Sequence, residues 1–112
     1  MAYKNLRDYL NHLQKCDLLH VVEDRINKDT ELVPLVRLQF RGLPEAERKA
    51  FWFRNVTDSR GRDFDTSVVL GSLGSSRQVY ASALGVKPQE IGAKWASTHG
   101  KPLNPAEVGR EN

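Results

Sequence analysis

The alternation of apolar spacings in this 112-residue chain predicts a mixed α+β (α/β) fold. The expected form is one small domain, with a short sheet of about three strands packed by about four helices. Three observations carry that expectation. Apolar residues recur at helical spacing in separate segments along the chain. Short runs rich in valine and aromatic residues lie between those segments, as strands do. The length suits one domain, by the usual prior of roughly 100–200 residues, and 39% hydrophobic with 28% charged residues is an ordinary globular composition.

The first helix rests on Leu6, Tyr9, Leu10 and Leu13, which fall at i, i+3, i+4 and i+7. Asn5 is its N-cap, and Asp8 favours the positive helix end. "LLHVVED" follows as a strand over residues 18–23, with His20 inside it. A polar turn, "RINKD", leads to a second helix capped by Asp29 or Thr30, with Leu32, Leu35, Val36 and Phe40 as its stripe. Pro34 fits only in its first turn. "RGLPEAERKA" is a charged connection with a helical turn after Pro44. "FWFRNV" is the second strand, with Phe51 and Phe53 on one face and Trp52 and Arg54 on the other. "TDSRGRDFD" is a turn-rich link to a third strand at residues 67–70. Ser75 or Ser76 caps a third helix, striped by Val79, Tyr80, Ala83 and Leu84 and stopped by Gly85. A further helix starts near Pro88 and runs to His99, with Ile91 and Trp95 on one face and Gly100 as its stop. "KPLNPAEVGREN" reads as an extended tail or linker, so the domain spans residues 4–100 and the tail 101–112.

The 17 basic residues face 14 acidic ones, a net charge of +3, and the two signs are interspersed. Nucleic-acid binders concentrate their cations on one stripe or face, so this pattern argues against a nucleic-acid partner. The richest basic run, "RKAFWFR", also reads as a half-buried strand with snorkelling flanks. Cys16 is the sole cysteine, which rules out an internal disulfide and fits a reducing compartment. Next to a helical stripe it is expected to be buried and inert, with His12 and His20 close only in sequence. No apolar run approaches about 18 residues, and Lys4, Arg7 and Asp8 break any leader-like stretch. A cytoplasmic protein without a membrane partner is expected.

His12, His20 and His99 form neither an H-x-x-x-H pair nor a cysteine partnership, so no metal ligand is assigned. A nucleophile elbow, a Walker lysine motif and a dinucleotide fingerprint are all missing. One stretch has the outline of a site: "SVVLGSLGSSRQVYASALG", a strand, a glycine loop with hydroxyls and a helix N-terminus. Gly71, Gly74, Ser75, Ser76 and Arg77 are its candidate anion-site residues. Two glycines without a Walker lysine also describe many strand-to-helix turns, and a structural turn is the default reading.

The succession of these segments resembles the UbiD family of decarboxylases. "NLRDYLNHLQKCDLLHVVEDRINKDTELVPLV" resembles that family's opening helix, strand and lead into the next helix. "FWFRNV" resembles its "L-L-F-E-N-V" strand, and "VVLGSLGSSRQVYASALG" its "V-L-G-N-L-F-G-S-x-x-R-x-A-x-A-L-G" segment. "KWASTHGKPLNPAEV" sits where the family has a helix and a proline-rich crossing. The series covers residues 4–108 in order. "RGLPEAERKAFWF" departs from the family by its higher charge.

The resemblance implies an N-terminal α/β domain whose catalytic partner domains use prenylated FMN, a divalent metal and often potassium. Such enzymes are carboxy-lyases that act reversibly on aromatic or unsaturated acids. Their flavin and metal ligands lie downstream of the matched region, so no catalytic, cofactor or metal residue is carried onto this chain, and the chain alone is expected to be inactive. A full-length member continues for several times this length. The chain is therefore expected to be a small accessory subunit, or an excised or truncated domain, that docks on a larger flavin-binding catalytic chain. Phe40, Trp52, Tyr80 and Trp95 are the rings expected to supply an apolar docking patch, for that chain or for a homo-oligomer. The alternative is a free-standing regulatory module that binds a small anion at the glycine loop, or nucleic acid at the aromatic strand.

Overall fold

A computed structural model of the chain describes residues 3–109. Helix α1 (Leu6–Lys15) starts where the sequence predicts: the Asn5 side chain accepts from the Asp8 N–H at 2.9 Å, and Asp8 accepts from the Lys4 N–H at 3.2 Å. The first bond satisfies an amide that a helix start otherwise leaves open, and the second ties the preceding residue to the first turn. Tyr9, Leu10 and Leu13 are buried, whereas Leu6, first in the predicted stripe, is exposed. The chain leaves α1 through Asp17, which adopts a left-handed φ of 58°. The N–H groups of Asp17 and Leu18 donate back to the carbonyls of Gln14 and Leu13, a Schellman closure with aspartate in the usual glycine place.

Strands β1 (Leu19–Val22) and β2 (Ile26–Asn27) follow, then α2 (Leu32–Gly42), a 3-10 turn at Glu45–Glu47, β3 (Ala50–Phe53) and β4 (Val56–Thr57). The second half holds β5 (Asp63–Phe64), β6 (Val68–Leu70), α3 (Arg77–Leu84), a 3-10 turn at Pro88–Glu90 and α4 (Ile91–His99). Two three-stranded sheets form, in the orders β1-β3-β6 and β2-β4-β5. The fold is mixed α+β, as predicted, but the single sheet expected from the sequence is two.

The registers explain the split. β1 pairs parallel to β3 up to Val22 opposite Phe53, and β2 resumes parallel to β4 with Ile26 opposite Val56. Residues 23–25 thus lie opposite only residues 54–55. On the other side β6 and β5 run antiparallel to β3 and β4, and residues 65–67 again lie opposite 54–55. The two sheets are the halves of one three-stranded ribbon, interrupted by an extra residue on each flank, and such bulges bend a strand and increase its twist. β2, β4 and β5 have two residues each, set in segments that read from sequence as turns or as the end of "FWFRNV".

The alternation of side chains divides the core. Leu19, Ala50 and Val69 face α1 and α3, where they join Tyr9, Leu10, Leu13 and Val79. Val22, Phe51, Phe53, Val68 and Leu70 point the other way, toward Ile26, Val56, and Leu32 and Val36 of α2. Phe51 and Phe53 stack at 5.7 Å, and the Arg54 guanidinium covers the Trp52 ring at 5.1 Å, so the predicted strand faces are correct.

Helix α2 is turned relative to its predicted stripe. Leu32, Val36 and Gln39 are buried, while Leu35 and Phe40 are exposed. The cause is Gln39, whose amide donates to the Lys49 carbonyl and accepts from the Lys49 N–H, both at 3.0 Å. Neither Asp29 nor Thr30 caps this helix; Asn27 instead accepts from both of their N–H groups, and the helix begins after Glu31 without a side-chain cap. In α3 the predicted stripe keeps Val79 buried, with Tyr80, Ala83 and Leu84 half-buried and Ala81 buried beside it. Helix α4 contributes no buried residue. Residues 101–109 are exposed and hold no helix or strand, and residues 110–112 of the predicted tail lie outside the described residues.

Candidate functional site

Strand β6 delivers the chain into the glycine loop through Gly71, whose φ is +73°. Ser75 is buried and its hydroxyl donates to the Gly71 carbonyl, closing the loop on itself. A Cβ at Gly71 would lie 2.8 Å from that Ser75 Oγ, so the turn requires glycine both for its φ and for its space. Gly74 has open space where a Cβ would lie. Ser76, rather than Ser75, is the N-cap of α3: its Oγ accepts from the Val79 N–H at 3.1 Å.

The helix end beyond it already holds an anion from the chain itself. The Arg77 N–H donates to Glu45 Oε1 at 2.9 Å, and the Arg77 Nε lies 3.8 Å from the same oxygen. Glu45 comes from the 3-10 turn after α2, inside the charged connection "RGLPEAERKA". The positive end of a helix favours a carboxylate, and here one is supplied internally. Glu45, Arg48, Ser76, Arg77 and Tyr80 border an open cleft of about 500 Å³.

Tyr9 fastens the loop to α1 from behind. Its hydroxyl lies 2.6 Å from the Ser72 carbonyl and 3.1 Å from that of Val79. Burial, helped by the neighbouring Tyr3 hydroxyl, pushes its pKa up to about 12, so it is a neutral donor at physiological pH. All five predicted anion-site residues are thus brought together, with both serine hydroxyls and the Arg77 amide engaged inside the chain.

Of the four predicted patch rings, Tyr80 and Trp95 meet, while Phe40 and Trp52 lie on opposite sides of the sheet from each other. The Trp95 indole donates to the Tyr80 hydroxyl at 2.8 Å, which joins α4 to α3 beside the cleft, and Trp95 remains 54% exposed. Phe40 lies under the Arg48 guanidinium at 5.2 Å. Trp52 is on the α1 face of the sheet, half-buried, with its indole donating to Ser67 at 2.8 Å.

Cys16 corrects a second expectation. It is exposed at the C-terminal end of α1, and His12 Nε2 lies 3.6 Å from its sulfur. The i, i+4 spacing in "HLQKC" is the signal that would have placed them together. His20 packs its ring 5.1 Å from Phe51, and burial together with Lys49 holds its pKa below the usual histidine value. Among the described residues no group of three His, Cys, Asp or Glu side chains is placed to hold a metal ion. No helix among them is long and apolar enough to cross a membrane.

The architecture defines the class of this protein as a mixed α+β domain built on a bulged three-stranded ribbon. Compared with known families and proteins, the chain matches no family model and no curated protein.

Proposed function

We propose that this chain is a non-catalytic N-terminal domain or small accessory subunit of a UbiD-like, prenylated-FMN-dependent (de)carboxylase acting on aromatic or unsaturated acids. It packs against a separate flavin-binding chain and shapes the assembly. The observation that carries this reading is the ordered series of segments across residues 4–108. Those segments supply α1, β1, β3 and the β6-to-α3 turn. Helix α4, with Trp95 uncovered and no buried residue, offers a surface for the partner.

Two donors of the glycine loop that a flavin phosphate would use are already engaged within the chain: the Ser75 hydroxyl donates to the Gly71 carbonyl and the Arg77 N–H to Glu45, while Ser76 Oγ accepts from the Val79 N–H. No step of the reaction is therefore drawn through this chain, and the flavin, divalent metal and potassium belong to the partner in this reading. The test is co-elution and activity with a UbiD-type flavin-binding chain that lacks its own N-terminal domain. A complex that raises the partner's activity and is weakened by Trp95→Ser is the expected result. Separate elution with unchanged partner activity would refute it.

A second reading is a free-standing module that binds a small anion, and Glu45 at the α3 end favours it, because that position attracts a carboxylate. Here Glu45→Gln should let phosphate raise the melting temperature, with the effect removed by adding Arg77→Ala. No phosphate-dependent shift in Glu45→Gln would end that reading.

A further inference from the structure

We propose that the outer face of α2 pairs antiparallel with the same face of a second copy of this chain. Seven of the eleven residues of α2 are Leu, Val, Pro or Phe, yet only Leu32, Val36 and Gln39 of the helix are buried. A helix that is apolar on nearly every side is ordinarily covered on every side. On its outer face Leu38 is 61% exposed and Leu35 39%. Together with Ile26 and Pro34 they floor a groove of about 420 Å³, whose ends carry Glu31 and Arg41.

The charge pattern along this stripe points to a second copy as the occupant. Glu31, Pro34 or Leu35, Leu38 and Arg41 follow one another at three- or four-residue spacing, which places them on one line along the helix. The line reads acid, apolar, apolar, base. A two-fold axis at the level of Val36 sets Glu31 against Arg41 of the other copy at both ends and lays Leu38 over Pro34 and Leu35 of the other copy. Such an isologous contact is complementary to itself by symmetry. Antiparallel helices also place the positive end of one beside the negative end of the other. The groups are available for it: among the described residues Arg41 and Arg37 make no ion pair. Only Oε1 of Glu31 is engaged, accepting from the Asn27 N–H at 3.0 Å. This inference does not depend on the decarboxylase reading, because the groove is formed by this chain alone.

Sedimentation equilibrium of the full chain, from about 10 μM to 1 mM, covers the range in which a contact of this modest size associates. A reversible monomer–dimer equilibrium is expected. Leu38→Glu should weaken it more than about tenfold, since it places a charge in an apolar contact, while the melting temperature of the dilute monomer stays unchanged. Glu31→Arg and Arg41→Glu should each weaken the dimer, and the double variant should restore it. A chain monomeric throughout, a dimer indifferent to Leu38→Glu, or a double variant that fails to recover would each overturn the proposal. So would a monomer that instead takes up an acidic amphipathic peptide in the same groove.

Discussion

Asp58 lies almost wholly inside the turn between β4 and β5. It accepts from the backbone N–H groups of Arg60 and Arg62 at 3.0 and 2.9 Å and from the Arg62 guanidinium at 2.7 Å. The Arg62 backbone N–H does most to hold its carboxyl below the ordinary range, with the guanidinium and the Arg60 amide assisting against the opposing effect of burial. A carboxyl whose folded pKa is depressed stabilises the fold above its unfolded value, about 3.9. That stability is lost as pH falls through the folded value. Asp58→Asn should therefore lower the melting temperature at pH 7, and the difference from the parent chain should shrink as both are melted at successively lower pH. His20 gives the complementary case, since the fold favours its neutral ring. Its contribution is present above about pH 6.5 and declines as pH falls through its lowered value. An NMR titration should place its midpoint below 6.5 by the ordinary reference, and Lys49→Ala should raise it. The role of His20 depends on Lys49 and Phe51, brought in by tertiary contacts, whereas the partners of Asp58 stand only two and four residues further along the same turn.

The turn from β6 into α3 combines a glycine that must bend with a serine that must cap. Gly71→Ala should cost about 1–2 kcal/mol, the usual penalty for a side chain in the left-handed region. The added Cβ would also push against the buried Ser75 hydroxyl. Ser76→Ala should cost about 1 kcal/mol, the typical loss of an N-cap. Chemical denaturation of both variants measures these values, and a neutral Gly71→Ala would contradict the geometry. The caps of α1 and α3 were legible in the sequence: Asn5, Ser76 and Gly85 stand where pattern places them, because a cap bonds only to residues two to four positions away. The cap predicted for α2 at Asp29 or Thr30 did not form. The strands β2, β4 and β5 were not legible. Two residues carry no period, and β2 finds its partner β4 about thirty residues further along the chain. The rotation of α2 was missed for the same reason, since Gln39 is drawn inward by a peptide group ten residues away.

The chain places a thin three-stranded ribbon between two small apolar clusters, and its overall dimensions of 48 × 45 × 22 Å are those of a flat body. Phe53, at 0% exposure, anchors one cluster against Leu32, Val36 and Val56. Phe53→Ala should cost about 3–5 kcal/mol, in line with truncation of a fully buried aromatic ring. Phe40→Ala should cost far less, because Phe40 is 44% exposed and touches the body through Arg48. Equilibrium unfolding of the pair separates the two classes, and equal losses would contradict the described core.

By itself the sequence determined the mixed α+β class, the order of the main helices, the caps of α1 and α3, the three longer strands and the two faces of β3. All of these follow from short-range periodicity and local hydrogen bonding. Only the tertiary structure decided that the ribbon breaks at paired bulges, that α2 turns Leu35 and Leu38 outward, and that Glu45 fills the end of α3. Each of those outcomes joins groups far apart in the chain, where geometry after folding, and not local preference, selects the partner.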